Sequence, residues 1–264
     1  MASPRPSVAV YKFSSCDGCQ LSLLNLEDEL LDLAEVVDIA MFLEASRTAR
    51  AGPYDVALVE GSVTTEHEVE RILEVRQQSK TLIALGTCAT AGGIQALRNF
   101  SEAGQLAGAV YAHPEYLKYL PTSKPLSDYV KPDLELWGCP VSKTQVVEVI
   151  VALLNGRRPS LPPYSVCLDC KRQGNSCVLV DSGTPCLGPG TQAGCGALCP
   201  SMARGCYGCF GPARSSNMDS LAGVLRAVER YPGETSHLFR GISGNAPLFR
   251  GIDVVKLRPP EGTR

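Results

Sequence analysis

The feature that most constrains this 264-residue chain is a dense run of cysteines towards its carboxyl end. Eight of its twelve cysteines lie within the 43 residues from Cys167 to Cys209. Glycine and proline are frequent in this segment and apolar side chains are few, so a hydrophobic core cannot offset the entropy lost on ordering it. Cross-links or bound metal must therefore stabilise the segment.

The spacing of these eight cysteines is nearly symmetric. One end has the pattern Cys-x2-Cys-x6-Cys, the other has Cys-x6-Cys-x2-Cys, and two more cysteines lie between them. In chain order they are Cys167, Cys170, Cys177, Cys186, Cys195, Cys199, Cys206 and Cys209. Disulfides, two four-cysteine zinc sites and iron–sulfur clusters would all use such a set. The Cys-x2-Cys pairs suit both kinds of metal site, and a pair such as Cys199-Pro200 often closes an iron–sulfur set.

The remainder of the composition favours metal ligation in a cytoplasmic protein. The first ten residues contain no apolar run that would serve as a signal peptide, and the sequence has no twin-arginine signal, so we expect a cytoplasmic location. Disulfides are rare in that compartment. No apolar run is long enough for a transmembrane helix. The net charge of −2 predicts neither nucleic-acid binding nor attraction to an anionic membrane.

The first 160 residues alternate strand-like and helix-like patterns. Apolar runs predict strands at 8–13, 36–43, 55–61, 81–86 and 134–138. Helical spacing predicts helices over 19–33, 65–77 and 142–154. Such strands separated by helices are typical of a parallel sheet covered on both faces. The expected fold class is α/β, with a flavodoxin-like open parallel sheet followed by a cysteine-rich, irregular domain.

A proline-rich linker at 155–165 separates two predicted domains, 1–160 and 161–264. Beyond the cysteines, Ser216 or Asn217 can cap a helix. Its expected apolar face consists of Leu221, Val224, Leu225 and Val228. The pentapeptide LFRGI occurs twice in the tail, at 238–242 and 248–252, and we interpret it as docking or edge-strand material.

The other four cysteines follow predicted strands. Cys16 and Cys19 follow the first strand, Cys88 follows the fourth, and Cys139 follows the fifth. In an open parallel sheet, ligands bind outside the carboxyl ends of the strands. These four thiols, although they span 124 residues of sequence, are therefore expected to converge. A site of four thiolates suits either zinc or a cubane cluster.

Several motifs identify a family that the chain resembles. CDGCQ (16–20), VEGSV (59–63), GTCATAGG (86–93) and GCPVSK (138–143), in this order, resemble the small subunit of nickel–iron hydrogenases. The segments YLPTSKPLSDYVKPDLELWGCP (119–140) and CLGPGTQAGCGALCPSMARGCYGCFGP (186–212) more closely resemble the delta subunit of cytoplasmic sulfhydrogenases and NAD(P)-linked hydrogenases. The resemblance extends over nearly the whole chain, to about residue 215.

The resemblance implies an electron-transfer subunit of a cytoplasmic hydrogenase, without a catalytic residue of its own. A proximal 4Fe-4S cluster is implied at Cys16, Cys19, Cys88 and Cys139, and two further 4Fe-4S clusters at the eight later cysteines in an iron–sulfur domain. How those eight divide between the two clusters stays open. The nickel–iron centre is implied on a large subunit, and FAD and NAD(P) on diaphorase subunits that include iron–sulfur and flavin-binding chains.

Two alternatives stay open beside this hypothesis. One is an iron–sulfur subunit of a quinone oxidoreductase of the complex I type, in which the first motif has adjacent cysteines; here Ser15 precedes Cys16, which counts against it. The other is a zinc-stabilised scaffold that only bridges subunits.

Other chemically active side chains are interpreted as structural. His67, His113 and His237 lie outside the cysteine block, whereas membrane-linked hydrogenase small subunits tend to use a histidine at the distal cluster. We expect these histidines at the surface or as caps. Glu60 is expected to flank a helix, with proton transfer at a subunit boundary as its alternative role. Trp137 is expected to pack beside the cluster site and to exclude water from it.

Overall fold

The computed structural model describes residues 5–252 of the chain. The chain divides into two compact units, Met1–Ser160 and Leu161–Arg264. The first unit contains a parallel sheet with helices, and the second contains short helices and loops.

Within the described residues, five strands form one fully parallel sheet in the first unit. They are β1 (Ser7–Lys12), β2 (Asp38–Phe42), β3 (Tyr54–Glu60), β4 (Ser79–Leu85) and β5 (Leu134–Leu136). Their order across the sheet is β2-β1-β3-β4-β5. This is the flavodoxin-like order, so the predicted fold class is confirmed, with every strand within two or three residues of its expected bounds.

Near-continuous apolar sequence explains the central strands. Leu82, Ile83, Ala84 and Leu85 at the end of β4 are all fully buried, so successive side chains on opposite faces of the sheet are both covered. Strands buried on both faces cannot use an alternating polar pattern. The strand sequences therefore indicate that helices cover both faces of the sheet.

The helices of the first unit connect the strands. They are α1 (Gly18–Leu24), α2 (Asp28–Val36), α3 (Glu66–Gln78), α4 (Gly86–Ala91), α5 (Ala103–Val110) and α6 (Lys143–Leu154). Thr65 caps α3, since its side chain accepts a hydrogen bond from the Glu68 amide and the Glu68 carboxylate accepts one from the Thr65 amide. This capping box explains why that helix begins at its predicted residue.

The prediction of one helix over 19–33 is wrong, because the chain turns between α1 and α2. Asn25 ends α1, and Glu27 has a φ of 52°, which a right-handed helix does not accommodate. The turn directs Leu26 into the core, where it is 2% exposed. Burial of Leu26 in the core therefore stabilises the fold more than one continuous helix through this segment would.

The second unit has short elements and a small core. Its helices are α7 (Val166–Arg172), α8 (Val178–Asp181), α9 (Leu198–Ser201), α10 (Met218–Ala227), α11 (Glu234–Phe239) and α12 (Pro247–Arg250). Val166 and Val178 form one apolar cluster with Ala197 and two cysteines, Cys186 and Cys206. The core of the second unit therefore contains few apolar side chains, as the sequence indicates, and cysteine side chains form part of it.

The carboxyl-terminal region corrects two expectations. Asn217 caps α10 by accepting from the Ser220 amide, as predicted, but Val224 is exposed. Met218 and Ala222 complete the buried face instead, together with Leu221 and Leu225. Both sets have the spacing i, i+3, i+4 and i+7, but the row that the structure buries begins at Met218, and the predicted Val228 follows the last residue of α10.

The repeated LFRGI pentapeptide forms helical turns, so its interpretation as edge-strand material is wrong. The first copy ends α11 and the second lies across α12. Each copy buries its phenylalanine, and the rings of Phe239 and Phe249 meet edge to face at 5.7 Å. Phe249 also lies against Gly208, between two of the cysteines. The repeat therefore anchors the tail on the cysteine-rich segment.

Candidate metal centres

The structure brings the four early cysteines together at the carboxyl edge of the sheet. Cys16 lies in the loop after β1, Cys19 in the first turn of α1, Cys88 within α4 after β4, and Cys139 after β5. Cys19 and Cys88 are buried, Cys139 is half-buried and Cys16 is exposed. Burial raises the pKa of Cys19 and of Cys88, and the thiols are close enough that ionised neighbours in the group raise it further. The expected convergence at strand ends is what the structure shows.

Backbone contacts hold the three cysteine-bearing loops in place. The Thr87 amide donates to the Gly138 carbonyl at 2.8 Å, and the Gly138 amide donates to Thr87 Oγ1 at 3.2 Å. These reciprocal bonds fasten the start of α4 to the loop of Cys139. The Val141 amide also donates to the Cys19 sulfur, which partly opposes the rise in the pKa of that thiol caused by burial. An amide N–H directed at sulfur stabilises a thiolate more than a thiol.

Two glycines make room for sulfur atoms in this group. Gly86 has a φ of 84°, and a Cβ there would overlap Cys19 Sγ. Gly93 has a φ of 61°, and a Cβ there would overlap Cys88 Sγ. Both the backbone conformation and the space available therefore require glycine. These are the glycines of the GTCATAGG motif, and sequence alone does not give their contact with sulfur.

Burial keeps these thiols protonated when no metal is bound. It raises the pKa of Cys88 to about 11, and it raises the pKa of Cys19 and Cys139 as well. Binding of a metal cluster must therefore displace protons from these sulfurs. A cationic centre offsets the cost of several thiolates in one buried place.

Glu60 is buried at the end of β3, 1% exposed, and its role is to hold the start of α1. Its carboxylate accepts from the Cys19 amide at 3.0 Å and from Gln20 Nε2 at 2.8 Å. Burial raises the pKa of Glu60, while these two bonds lower it. Glu60 is therefore a helix-flanking carboxylate, as expected. Its hydrogen bond with the Cys19 amide could not be predicted from the sequence.

A second group of four thiols surrounds one small cavity in the second unit. Cys167, Cys170, Cys177 and Cys186 line it together with apolar side chains, glycine and proline, and no charged residue takes part. Gly188 also lines it, and a Cβ on Gly188 would lie 3.3 Å from Cys186 Sγ and 3.5 Å from Cys167 Sγ. Cys186 thus lines the same cavity as the first triad of the symmetric pattern, an arrangement that the spacing left open.

The remaining four cysteines are found in two neighbouring pairs. Burial raises the pKa of Cys199 and of Cys206; Cys195 raises the pKa of Cys199 further, and Cys186 and then Cys209 raise that of Cys206. Burial is the main cause that raises the pKa of Cys206 to about 12. The Cys206 amide donates to Cys186 Sγ at 3.2 Å, which links this set to the cavity group.

The donor sets fit iron–sulfur clusters better than single ions. All twelve cysteines are free of disulfides. Within residues 5–252, no three His, Cys, Asp or Glu side chains are placed to hold a metal ion directly. Zinc needs its sulfur ligands about 2.3 Å from one point, whereas a 4Fe-4S cluster is a larger body held at its corners by thiolates. Four thiols around a cavity without charged residues therefore suit a 4Fe-4S cluster better than a single zinc ion.

Residues predicted to be structural lie apart from the thiols or touch other groups. His67, His113 and His237 all lie outside the buried core, as expected. Trp137 is half-buried and its indole donates to Glu135. Its shielding of a cluster therefore stays a prediction.

One functional contact was missed at the level of sequence. Gln95 lies at 3.4 Å from the sulfur of Cys88. The only sequence signal for it is its position two residues after Gly93, where the chain leaves α4.

A comparison with family models matches residues 16–153 to the NADH ubiquinone oxidoreductase 20 kDa subunit. That range includes all four cysteines of the first group. Within the described residues, helices are too short or too polar to cross a membrane.

Similar proteins are hydrogenase subunits. The chain is 40% identical over 222 residues to sulfhydrogenase 2 subunit delta of Pyrococcus furiosus, covering 84% of this chain and 92% of that one. It is 30% identical over 213 residues to coenzyme F420 hydrogenase subunit gamma of Methanococcus voltae, covering 73% and 82%. A chain in the crystal structure of an NAD+-reducing [NiFe]-hydrogenase in the H2-reduced state superposes with a TM-score of 0.55 and 28% identity, covering 60% and 96%.

Proposed function

This chain belongs to the NADH ubiquinone oxidoreductase 20 kDa subunit family, among its hydrogenase small subunits, and we propose that it relays electrons through three 4Fe-4S clusters. The clusters would connect the nickel–iron site of a large subunit with an acceptor subunit. The observation that carries the proposal is that the first eight cysteines gather in two groups of four, one at the carboxyl edge of the sheet and one around a cavity.

The ligand sets follow from these groups. Cys16, Cys19, Cys88 and Cys139 would hold the proximal cluster. Cys167, Cys170, Cys177 and Cys186 would hold a second one, because they line the same cavity. The third would use the remaining two pairs, Cys195 with Cys199 and Cys206 with Cys209.

The protein's part is to bind, insulate and tune these groups. When bound, each cluster takes up and releases one electron at a time. Amides of Val141 and Cys206 donate to cysteine sulfurs and so stabilise negative charge there. Apolar neighbours such as Val166 and Val178 exclude water from the second group. Hydrogen bonds to the sulfurs and the exclusion of water both change the reduction potential of a cluster.

The proposed partners are a large subunit with the nickel–iron centre and an iron–sulfur or flavin-containing diaphorase that binds NAD(P), in the cytoplasm. The NAD+-reducing relative supports this acceptor. Nearly all of that chain is covered by 60% of this one, so about two fifths of this chain is additional to what they share. Two further clusters in the second unit would lengthen the electron path accordingly.

The test is metal analysis of the complex purified without oxygen. We expect about twelve irons and about twelve acid-labile sulfides per chain, with paramagnetic resonance after reduction by hydrogen. Cys139→Ser should remove about four irons, and Cys186→Ser another set, each without affecting the other. Bound zinc with no labile sulfide would overturn the proposal and support the scaffold alternative.

A second candidate, electron delivery to a quinone, is favoured by the family match over residues 16–153. Ser15 in place of a cysteine next to Cys16 argues against it. Hydrogen-dependent reduction of NAD(P)+ and of a soluble quinone by the same complex separates the two candidates. Reduction of the quinone alone would favour the second.

A further inference from the structure

The outer face of α9 carries two large apolar side chains. Leu198, its first residue, is 61% exposed, and Met202, which follows its last residue, is 69% exposed. Four positions separate them, so they lie on the same side of the helical turn. The other side is covered, because Pro200 is buried and lines the cavity of the second thiol group. A single turn of helix therefore separates that cavity from an apolar outer surface.

The end of α7 is fastened beside α9 by side-chain hydrogen bonds. Gln173 donates from Nε2 to the Gly196 carbonyl at 2.7 Å, and its Oε1 accepts from Ser201 Oγ at 2.7 Å. Asn175 Nδ2 also donates to Ser201 Oγ, at 3.1 Å. The last turn of α7 and the outer face of α9 are therefore neighbouring parts of one surface.

Three exposed cations join the two apolar side chains on what we call the α9 surface: Lys171, Arg172 and Arg204. Two of them form the basic last turn of α7. Arg204 lies just beyond α9, and its amide donates to the Cys199 carbonyl at 3.0 Å. Within residues 5–252, none of the three forms an ion pair with a carboxylate. Their charge is therefore available to a partner.

The second unit as a whole is basic. Residues 161–264 contain eleven Lys and Arg against seven Asp and Glu, a net charge of +4. Residues 1–160 contain fourteen against twenty, a net charge of −6. Asp169 of α7 is partly buried and offsets only part of the local positive charge. The overall charge of −2 thus combines an acidic first unit with a basic second one.

Such a surface fits a protein partner with an acidic face. Apolar side chains inside a polar rim are typical of protein interfaces. Unpaired cations attract an acidic partner and speed its association. The five side chains are a small part of the roughly 20–30 residues that a stable interface uses on each side, and transient electron-transfer contacts form the smaller class. The α9 surface therefore suits a partner that binds and leaves.

We propose that the α9 surface is the docking site of a mobile electron-carrier protein with an acidic face. The inference rests on the proposed function, because it needs clusters at the thiols beneath α9, and it adds an outlet besides the acceptor subunit. The carrier binds in its oxidised state, takes up one electron that hydrogen oxidation on the large subunit supplies, and leaves reduced. No covalent bond forms or breaks at this surface.

A zero-length cross-link maps the contact. The intact complex is mixed at low salt with a soluble ferredoxin of strongly negative charge, and a carbodiimide then joins lysine amines to carboxylates that touch them. Lys171 is the only lysine between residues 161 and 252. We expect this chain to be joined to the ferredoxin at Lys171. Cross-links only at lysines of residues 1–160, or no cross-link at all from this chain, would overturn the proposal.

Charge reversal tests whether the contact carries electrons. In the complex with Lys171→Glu and Arg204→Glu together, kcat/KM for hydrogen-dependent reduction of the ferredoxin should fall at least about tenfold at about 0.02 M salt, and the difference should shrink at about 0.5 M salt. Iron content and reduction of methyl viologen, which needs no protein contact, should equal those of the wild type. Lys171→Glu alone should lower kcat/KM by less, and it covers the case in which the double variant loses iron. An unchanged kcat/KM for ferredoxin would overturn the proposal.

Arg214→Glu is the matched control for Lys171→Glu. Arg214 is exposed in the same unit, on a loop whose Ala213 amide donates to the Gly190 carbonyl at 2.8 Å. It changes the charge of the unit equally without touching the α9 surface, so its kcat/KM should equal that of the wild type. An equal fall would contradict a local docking site. A wild-type complex that reduces the dye but not the ferredoxin would overturn the inference alone, whereas a complex without iron would overturn the proposed function.

Discussion

Replacement of Gly86 by alanine should remove the proximal cluster and leave the other two in place. Gly86 is the first residue of α4, with a φ of 84°, and its missing side chain is the space next to Cys19 Sγ. A Cβ at this position would lie less than 3.0 Å from that sulfur, a distance that real Cβ atoms almost never show.

Two costs can be separated. The left-handed backbone costs a non-glycine residue about 1–2 kcal/mol. In addition, to restore ordinary contact at 3.4 Å, the sulfur must move by about 1 Å. Ligand constellations tolerate displacements of about 0.5 Å. We therefore expect a modest loss of folding stability but loss of the cluster that Cys19 helps to bind.

The assay is iron and labile sulfide analysis together with urea unfolding, on three alanine variants. Gly86→Ala should retain about eight of about twelve irons. Gly156→Ala has a comparable φ of 62° with nothing within 4 Å of the added Cβ, so it should lose the same stability of about 1–2 kcal/mol but no iron. Gly104→Ala lies in α5 with open space around it and should keep all its iron.

Retention of all irons by Gly86→Ala would refute the reasoning. An equal loss of iron from Gly156→Ala would refute it too, because backbone strain alone would then explain the effect. Only the contrast between these two variants attributes the loss to the contact with sulfur.

Other perturbations test the rest of the structure. Gly188→Ala should keep its iron, because its Cβ would lie 3.3 and 3.5 Å from two sulfurs of the cavity group and a shift well within the tolerated value of about 0.5 Å restores ordinary contact; iron analysis of the variant checks this. Phe249→Ala should destabilise the second unit by about 3–5 kcal/mol in urea unfolding and speed iron loss to a chelator, because a buried ring over Gly208 is removed. The iron-free protein should lose unfolding free energy as pH rises from about 9 to about 11, because Cys88, with a pKa raised to about 11, keeps in the folded state a proton that the unfolded chain releases. Urea unfolding at each pH measures this loss, and Cys88→Ala should make the unfolding free energy depend less on pH. Thr65→Ala should cost about 0.5–2 kcal/mol of unfolding free energy without loss of iron, because it removes only the cap of α3.

The sheet and the first thiol group could be predicted because both follow from local pattern and one topological rule. Apolar runs identify the strands, and Cys88 and Cys139 follow two of them directly. A parallel sheet places all carboxyl ends at one edge, so convergence needs no knowledge of tertiary contacts. The split between α1 and α2 could not be predicted, since burial of Leu26 is a tertiary effect.

The place of Cys186 beside the first triad could not be predicted from the sequence, because it depends on contacts between distant parts of the chain. The chain near Cys186 runs beside the chain near Cys206, with the Leu187 amide bonded to the Cys206 carbonyl at 3.0 Å. Spacing alone makes Cys186 and Cys195 equivalent candidates for the fourth position of the first triad. Gln95 was overlooked for a similar reason, because a polar residue in a short helix carries no pattern that indicates its neighbour.

The first and second thiol groups differ in how much of the chain each needs, and this affects the order in which they become complete during synthesis. Cys167 to Cys186 leave the ribosome as one short piece, but Cys19 must wait for Cys139, which is 120 residues further on. At roughly 5–20 residues per second, that interval is about 6–24 s. During it, the early thiols have no partner from the loop after β5, so the first thiol group becomes complete only after β5 has joined the sheet.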